Sequence, residues 1–144
     1  MIRHAGLLAA QVEGRWRGAL IEGGSGRGKS DLALRAIDQG MRLVADDRTE
    51  VFVSGGRLFG VAPKPLTGLI EVRGLGMEAV TALKTAWIVL RVRCVAAPDE
   101  PQRMPRDDCE PVLGVEIPTI ELWPFESSAV LKVLLALRHL GVSP

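Results

Sequence analysis

Eight consecutive residues, Gly23, Gly24, Ser25, Gly26, Arg27, Gly28, Lys29 and Ser30, constrain this chain more than any other stretch. They satisfy the spacing G-x-x-x-x-G-K-[ST]. They stand between a short apolar run, residues 18–22, and a segment, 31–38, whose apolar positions recur at helical spacing. The context is therefore strand, glycine-rich turn, helix, which a purely structural turn has no need of. Glycines let successive backbone N–H groups converge on phosphate oxygens, and the following helix adds its positive N-terminal end. In such a loop Lys29 reaches the β- and γ-phosphates of ATP and the Ser30 hydroxyl ligates Mg²⁺.

The next elements extend this unit. Gly40 stands where a helix C-terminal glycine belongs, and residues 42–46 read as a second buried strand with the acids Asp46 and Asp47 at its end. A triphosphate site needs a carboxylate at the end of a neighbouring strand, to hold the metal directly or through water. Adjacent side chains at a strand end point in different directions, so one acid can face the metal and the other an acceptor oxygen. That arrangement suits a kinase that orients a hydroxyl. The competing reading is a pair of solvated strand-end acids.

Beyond the acids, residues 49–53 and 58–61 flank the turn Ser54-Gly55-Gly56-Arg57 and predict a hairpin. Pro63 and Pro65 break regular structure before residues 69–77, and residues 86–92 predict a third buried strand. Residues 97–111, with Pro98, Pro101 and Pro105, read as an exposed loop. Residues 117–123 predict a last strand. Ser127 and Ser128 would cap a helix that runs through His139 and ends at Gly141. That helix is apolar on most faces, which fits either a core helix or a homo-oligomer contact.

A chain of 144 residues suits one domain, 1–144, and a net charge of +1 points to neither nucleic acid nor membrane as a partner. The apolar stretch after Met1 is too short for a signal peptide, so the expected compartment is the cytoplasm. Cys94 and Cys109 sit in unlike settings and a disulfide between them is not expected in a reducing compartment. Two cysteines and two histidines supply no zinc-type cluster.

Three stretches together, residues 23–30, Leu43-Val44-Ala45-Asp46-Asp47 and Leu69-Ile70-Glu71-Val72-Arg73-Gly74-Leu75-Gly76, resemble the catalytic domain of HPr kinase/phosphorylase, from about residue 4 to residue 136. The first motif is generic and the third highly specific, and they occur in the family's order. The resemblance implies an α/β fold, a P-loop nucleotide-binding domain of the phosphoenolpyruvate-carboxykinase-like kind with a mixed sheet flanked by helices. It implies ATP and Mg²⁺ as cofactors and, as partner, HPr, the phosphocarrier of the sugar phosphotransferase system, phosphorylated on a serine. Carried over residue by residue, the phosphate-binding lysine falls on Lys29 and the metal-binding serine on Ser30. The aspartate that accepts the serine proton falls on Asp47, with Asp46 in support and as a metal ligand. The signature glutamate, a metal ligand, falls on Glu71, with Arg73 near the reaction centre. The family's histidine ahead of the first strand falls on His4, although a histidine near a chain terminus also reads as exposed and idle.

Two departures stand out. The length implies the catalytic domain without the regulatory domain that usually precedes it. Where the family carries a basic segment resembling R-P-G-R-N, this chain has Trp123-Pro124-Phe125-Glu126-Ser127, which leaves the phosphorylase direction open. Two other functions stay in play: a small-molecule kinase with residues 97–111 as a lid bearing Arg103 and Arg106, and a nucleotide-binding regulatory module without turnover.

Overall fold

The computed structural model of the protein describes residues 1–24, 26–98 and 111–139. A two-residue strand β1 (Ile2–Arg3) leads into a long hairpin of β2 (Ala5–Val12) and β3 (Arg15–Glu22), paired antiparallel from Ala5↔Glu22 to Val12↔Arg15. Glu13 and Gly14 turn it with φ of 53° and 77°, the two left-handed residues that match the twist of the flanking strands. The sequence reading began the strand at residue 18 and found no strand in 5–12. β2 is buried at every position but Gln11, so it lacks the polar–apolar alternation that marks a strand with one wet face.

Helix α1 (Lys29–Asp38) follows the glycine-rich loop and closes at Gln39 and Gly40, the latter with φ of 95° as the sequence predicted. Next come β4 (Arg42–Ala45) and the hairpin β5 (Thr49–Ser54) and β6 (Arg57–Val61), turned by Gly55 and Gly56. A single 3-10 turn at 64–66 occupies the proline-broken stretch. The signature motif 69–76 folds as a separate two-stranded hairpin, β7 (Leu69–Val72) and β8 (Gly76–Ala79), turned at 73–75. Strand β9 (Ala86–Cys94), β10 (Thr119–Leu122) and α2 (Ala129–His139) complete the described elements; residues 99–110 and Gly141 lie outside them.

The large sheet is mixed, in the order β1-β5-β6-β9-β3-β2-β4. β3 and β9 run parallel at its centre. The other edge of β9 forks: its start pairs with β6 at Trp87 and Ala86, and its end pairs in parallel with β10 from Arg91 to Cys94. Curling gives the sheet two cores. On one face α1 and α2 pack through Leu32, Ala36, Val133 and Leu137 onto Leu8, Ile21, Val89 and Val92. On the other, Leu7, Leu20, Val51, Leu58 and Ile88 meet Val112 and Ile117. This is the predicted mixed sheet flanked by helices. No helix among the described residues is long and apolar enough to cross a membrane.

Helix α2 sends Val130, Val133 and Leu137 inward, as a core helix should, while Leu131 and Leu135 stay exposed. The buried Arg17 of β3 donates from Nη1 to the Leu137 carbonyl at 3.1 Å, placing a cation at the negative end of that helix.

The close approach of the two hairpins depends on Gly60. A Cβ there would stand 2.6 Å from Leu7 Cδ2, 2.8 Å from Thr49 Cγ2 and 3.2 Å from Ile88 Cδ1, all in the core. Gly60→Ala is expected to cost about 1–3 kcal/mol, the range for overpacking a well-filled interior. It should read as a lower urea midpoint at unchanged slope.

Candidate functional site

The glycine-rich loop leaves β3 at Glu22 and enters α1 at Lys29. Within it Arg27 N–H donates to the Gly24 carbonyl at 3.2 Å, and Leu32 N–H to the Gly28 carbonyl at 2.9 Å. Gly28 caps the helix with φ of 87° and offers no side-chain acceptor. The first-turn N–H groups, which have no carbonyl ahead of them in the helix, are thus left for an external anion. Ser25 lies outside the described residues.

The two acids at the end of β4 diverge as expected. Asp47 takes a left-handed backbone, φ 64°, a conformation Asp adopts more readily than most residues. Its Oδ1 lies 3.4 Å from Lys29 Nζ. Asp46 turns the other way and accepts two hydrogen bonds, from Ser30 Oγ to Oδ1 at 2.9 Å and from the Glu71 N–H to Oδ2 at 3.0 Å. One carboxylate thereby ties the start of α1, the end of β4 and strand β7. The sequence reading placed the acids on a strand neighbouring β3. That expectation is corrected, because β2 lies between β3 and β4 in the sheet. The acids still reach the loop, since α1 crosses over β2 and β4 and brings Lys29 and Ser30 with it.

A cleft of about 450 Å³ opens here, lined by the loop glycines 26 and 28 and by Lys29, Ser30, Asp47, Glu71 and Arg73. Glu71 and Arg73 are exposed on the β7–β8 hairpin, which forms the wall opposite α1. His4 is exposed between β1 and β2 and does not line the cleft. Among the described residues no three of His, Cys, Asp and Glu gather into a metal-binding group. The oxygen donors beside the loop are the Ser30 hydroxyl and the Asp46, Asp47 and Glu71 carboxylates.

The sequence profile of the family described as HPr Serine kinase C-terminal domain matches residues 4–136. The chain belongs to this family. An HPr kinase/phosphorylase of Clostridium tetani is 37% identical over 99 residues, which are 69% of this chain and 32% of that protein. One from Clostridium beijerinckii is 50% identical over 66 residues, 46% of this chain and 22% of that protein. The chain thus spans a third or less of the length of these relatives. The solved structure of the HPr(Ser) kinase/phosphatase from Coxiella burnetii superposes with a TM-score of 0.76 at 27% identity, over 94% of this chain and 93% of the other. The predicted fold of the HPr kinase C-terminal domain is therefore the fold this chain has.

Three neighbours of the site carry no sequence signal. Glu22, the last residue before the loop, pairs with Arg3 at 2.8 Å and with the fully buried Arg91 at 2.6 Å, so a cation inside the sheet is balanced at the loop's base. Arg91 merely continues an apolar strand in the sequence, and Glu22 looks like an ordinary strand end. Phe125 packs against Gly28 from far along the chain. Cys94 lies under the loop: its Cβ is 3.0 Å from where a Cβ on Gly23 would stand, and its carbonyl accepts from Arg27 Nη1 at 3.4 Å.

Burial pushes the Cys94 thiol up from 9.0 to about 11, with the charges of Lys29 and Arg27 pulling partly back. Since only the thiolate reacts, iodoacetamide should label Cys94 far more slowly in the native protein than in urea at pH 8, assayed in a Cys109→Ser background. The native state holds the thiol proton more tightly than the unfolded chain. The resulting stabilisation is therefore full below about pH 9 and lost as pH rises toward about 11. Urea midpoints measured across that interval should fall less steeply once Cys94→Ala is added.

Proposed function

We propose that this domain transfers the γ-phosphoryl group of ATP to a serine of HPr. One observation carries the reading: Asp46 and Asp47 engage the loop and the signature hairpin together, Asp46 through Ser30 and Glu71 and Asp47 through Lys29. The names of the relatives, HPr kinase/phosphorylase and HPr(Ser) kinase/phosphatase, support the acceptor.

The residues present fit a nucleoside triphosphate with Mg²⁺. Uncapped N–H groups at the head of α1 and the Lys29 ammonium form a cradle for phosphate oxygens. Ser30, Asp46 and Glu71 supply the hard oxygen ligands that Mg²⁺ prefers. When bound, the ion neutralises charge on the phosphates and helps to orient them.

Within this reading Lys29 draws charge from the transferring phosphoryl group. Asp47, exposed and lining the cleft beside Lys29, accepts the proton of the incoming serine hydroxyl. Asp46 holds Ser30 and the hairpin in place. Arg73, exposed on the hairpin, approaches the acceptor side. His4, exposed between β1 and β2 and outside the cleft lining, has no part in this step. Arg103 and Arg106, on which a small-molecule kinase reading rests, fall outside the described residues.

Incubation with radiolabelled ATP, Mg²⁺ and purified HPr should yield phosphoserine on HPr, located by phosphosite mapping. A phosphorylated metabolite with unlabelled HPr, or nucleotide binding without turnover, would overturn the assignment. Lys29→Ala should lower kcat by about 10²–10³, the cost of losing one preorganised charge donor. Asp47→Asn keeps the backbone geometry but cannot take a proton, and should lower kcat by about 10²–10⁴. Wild-type turnover in Asp47→Asn would remove Asp47 from the role of base.

A further inference from the structure

The cleft has one wall that phosphate chemistry does not use. Phe125 and Leu34 line it beside its charged groups, Phe125 52% exposed and Leu34 38%. A ligand seated in the cleft would cover this apolar surface together with the polar groups around it.

The segment that carries Phe125 is held in place without help from its ring. Arg35 of α1 reaches across to the carbonyl oxygens of both Pro124 and Glu126, so the residues on either side of Phe125 are tethered to the helix. Pro124 is buried, and Glu126 pairs with Lys132 of α2 at 2.6 Å. Trp123 meets the Phe125 ring edge-on, with centroids 6.2 Å apart and planes at 67°. The ring is presented at the head of α1: its Cζ and Cε1 lie 2.7 and 3.0 Å from where a Cβ on Gly28 would be. Gly28 is therefore needed twice, for its φ of 87° and for the space the ring occupies.

We propose that Phe125, with Leu34 beside it, is the platform on which the base of the bound nucleotide lies. The inference rests on the reading of the cleft as a nucleoside triphosphate site and adds the part of the ligand that the phosphate loop does not address. About 450 Å³ is within the range of small-molecule sites. Its lining combines Lys29, Arg73 and the head of α1 with the carboxylates Asp31, Asp47 and Glu71 and the apolar side chains Leu34 and Phe125, which suits a ligand with a metal-bound polyphosphate tail and a flat heterocycle. Stacking on an aromatic ring is tolerant of base identity, because every base offers a π-face. The wall therefore contributes affinity for nucleotides over inorganic polyphosphate more than it selects among purines.

The test compares Mg²⁺-ATP with Mg²⁺-tripolyphosphate, which has the phosphates and no base, by calorimetric titration of the whole chain. Phe125→Leu keeps apolar bulk against Gly28 and removes the ring; it should weaken ATP about tenfold, within the span measured for lost base stacking, and leave tripolyphosphate unchanged. Phe125→Trp should retain ATP binding. The proposal is overturned if Phe125→Leu weakens both ligands equally, which would make the ring a support for the loop, or if it weakens neither. Failure of the underlying reading looks different: wild-type protein would bind neither ligand, or Lys29→Ala would leave both affinities intact.

Discussion

The Asp46 carboxylate is the joint on which the site turns. Its two oxygens accept from donors on separate elements, the Ser30 hydroxyl at the head of α1 and the Glu71 N–H on the β7–β8 hairpin. Hydrogen bonds to an ionised acceptor contribute about 1.5–3 kcal/mol each, more than neutral ones. The hairpin needs such a tie, since an isolated two-stranded unit is marginal in water and β8 is exposed at all four positions. Ile70, fully buried in the core, and the contact with α1 anchor the hairpin, and Asp46 adds the tie that fixes the Glu71 backbone against the loop.

A second electrostatic arrangement lies beneath the loop. A fully buried arginine is costly unless its charge is met, and Arg91 meets Glu22, which also faces Arg3. Glu22 is the last residue of β3 before Gly23, so the balance of charge inside the sheet and the point where the phosphate loop leaves it are decided at the same residue. Cys94, neutral and buried, fills the space next to it without adding a charge.

Much of this was legible in the sequence because it is local. The loop, its helix, Gly40, the turn at Gly55 and Gly56, and the divergence of Asp46 from Asp47 all follow from residue types at short spacing. What was not legible depends on contacts between distant segments or on missing contrast. Strand β2 carries no alternation because both its faces are buried, and its insertion beside β3 displaced β4 from the expected neighbouring position. The double acceptance by Asp46 joins positions with no common periodicity. Pro124 to Glu126 read only as the absence of a basic segment, whereas in the fold they are a strap gripped by Arg35 and laid against Gly28.

The fork of β9 explains how that strap arrives where it does. One edge of the strand is in register with β3, Glu22 opposite Arg93, and the other with β10, Glu121 opposite the same Arg93. The end of β3 and the end of β10 are therefore levelled against Arg93 and Cys94, one residue apart, and the chain leaves both strands at nearly the same height. From there one segment becomes the phosphate loop and the other the strap, two fingers set on one knuckle. A shift of β10 by one residue along β9 would exchange the faces of its side chains and carry Phe125 away from Gly28, even with every residue of the loop unchanged. Variation in the sequence of 119–122 therefore bears on the cleft as directly as variation in the loop itself.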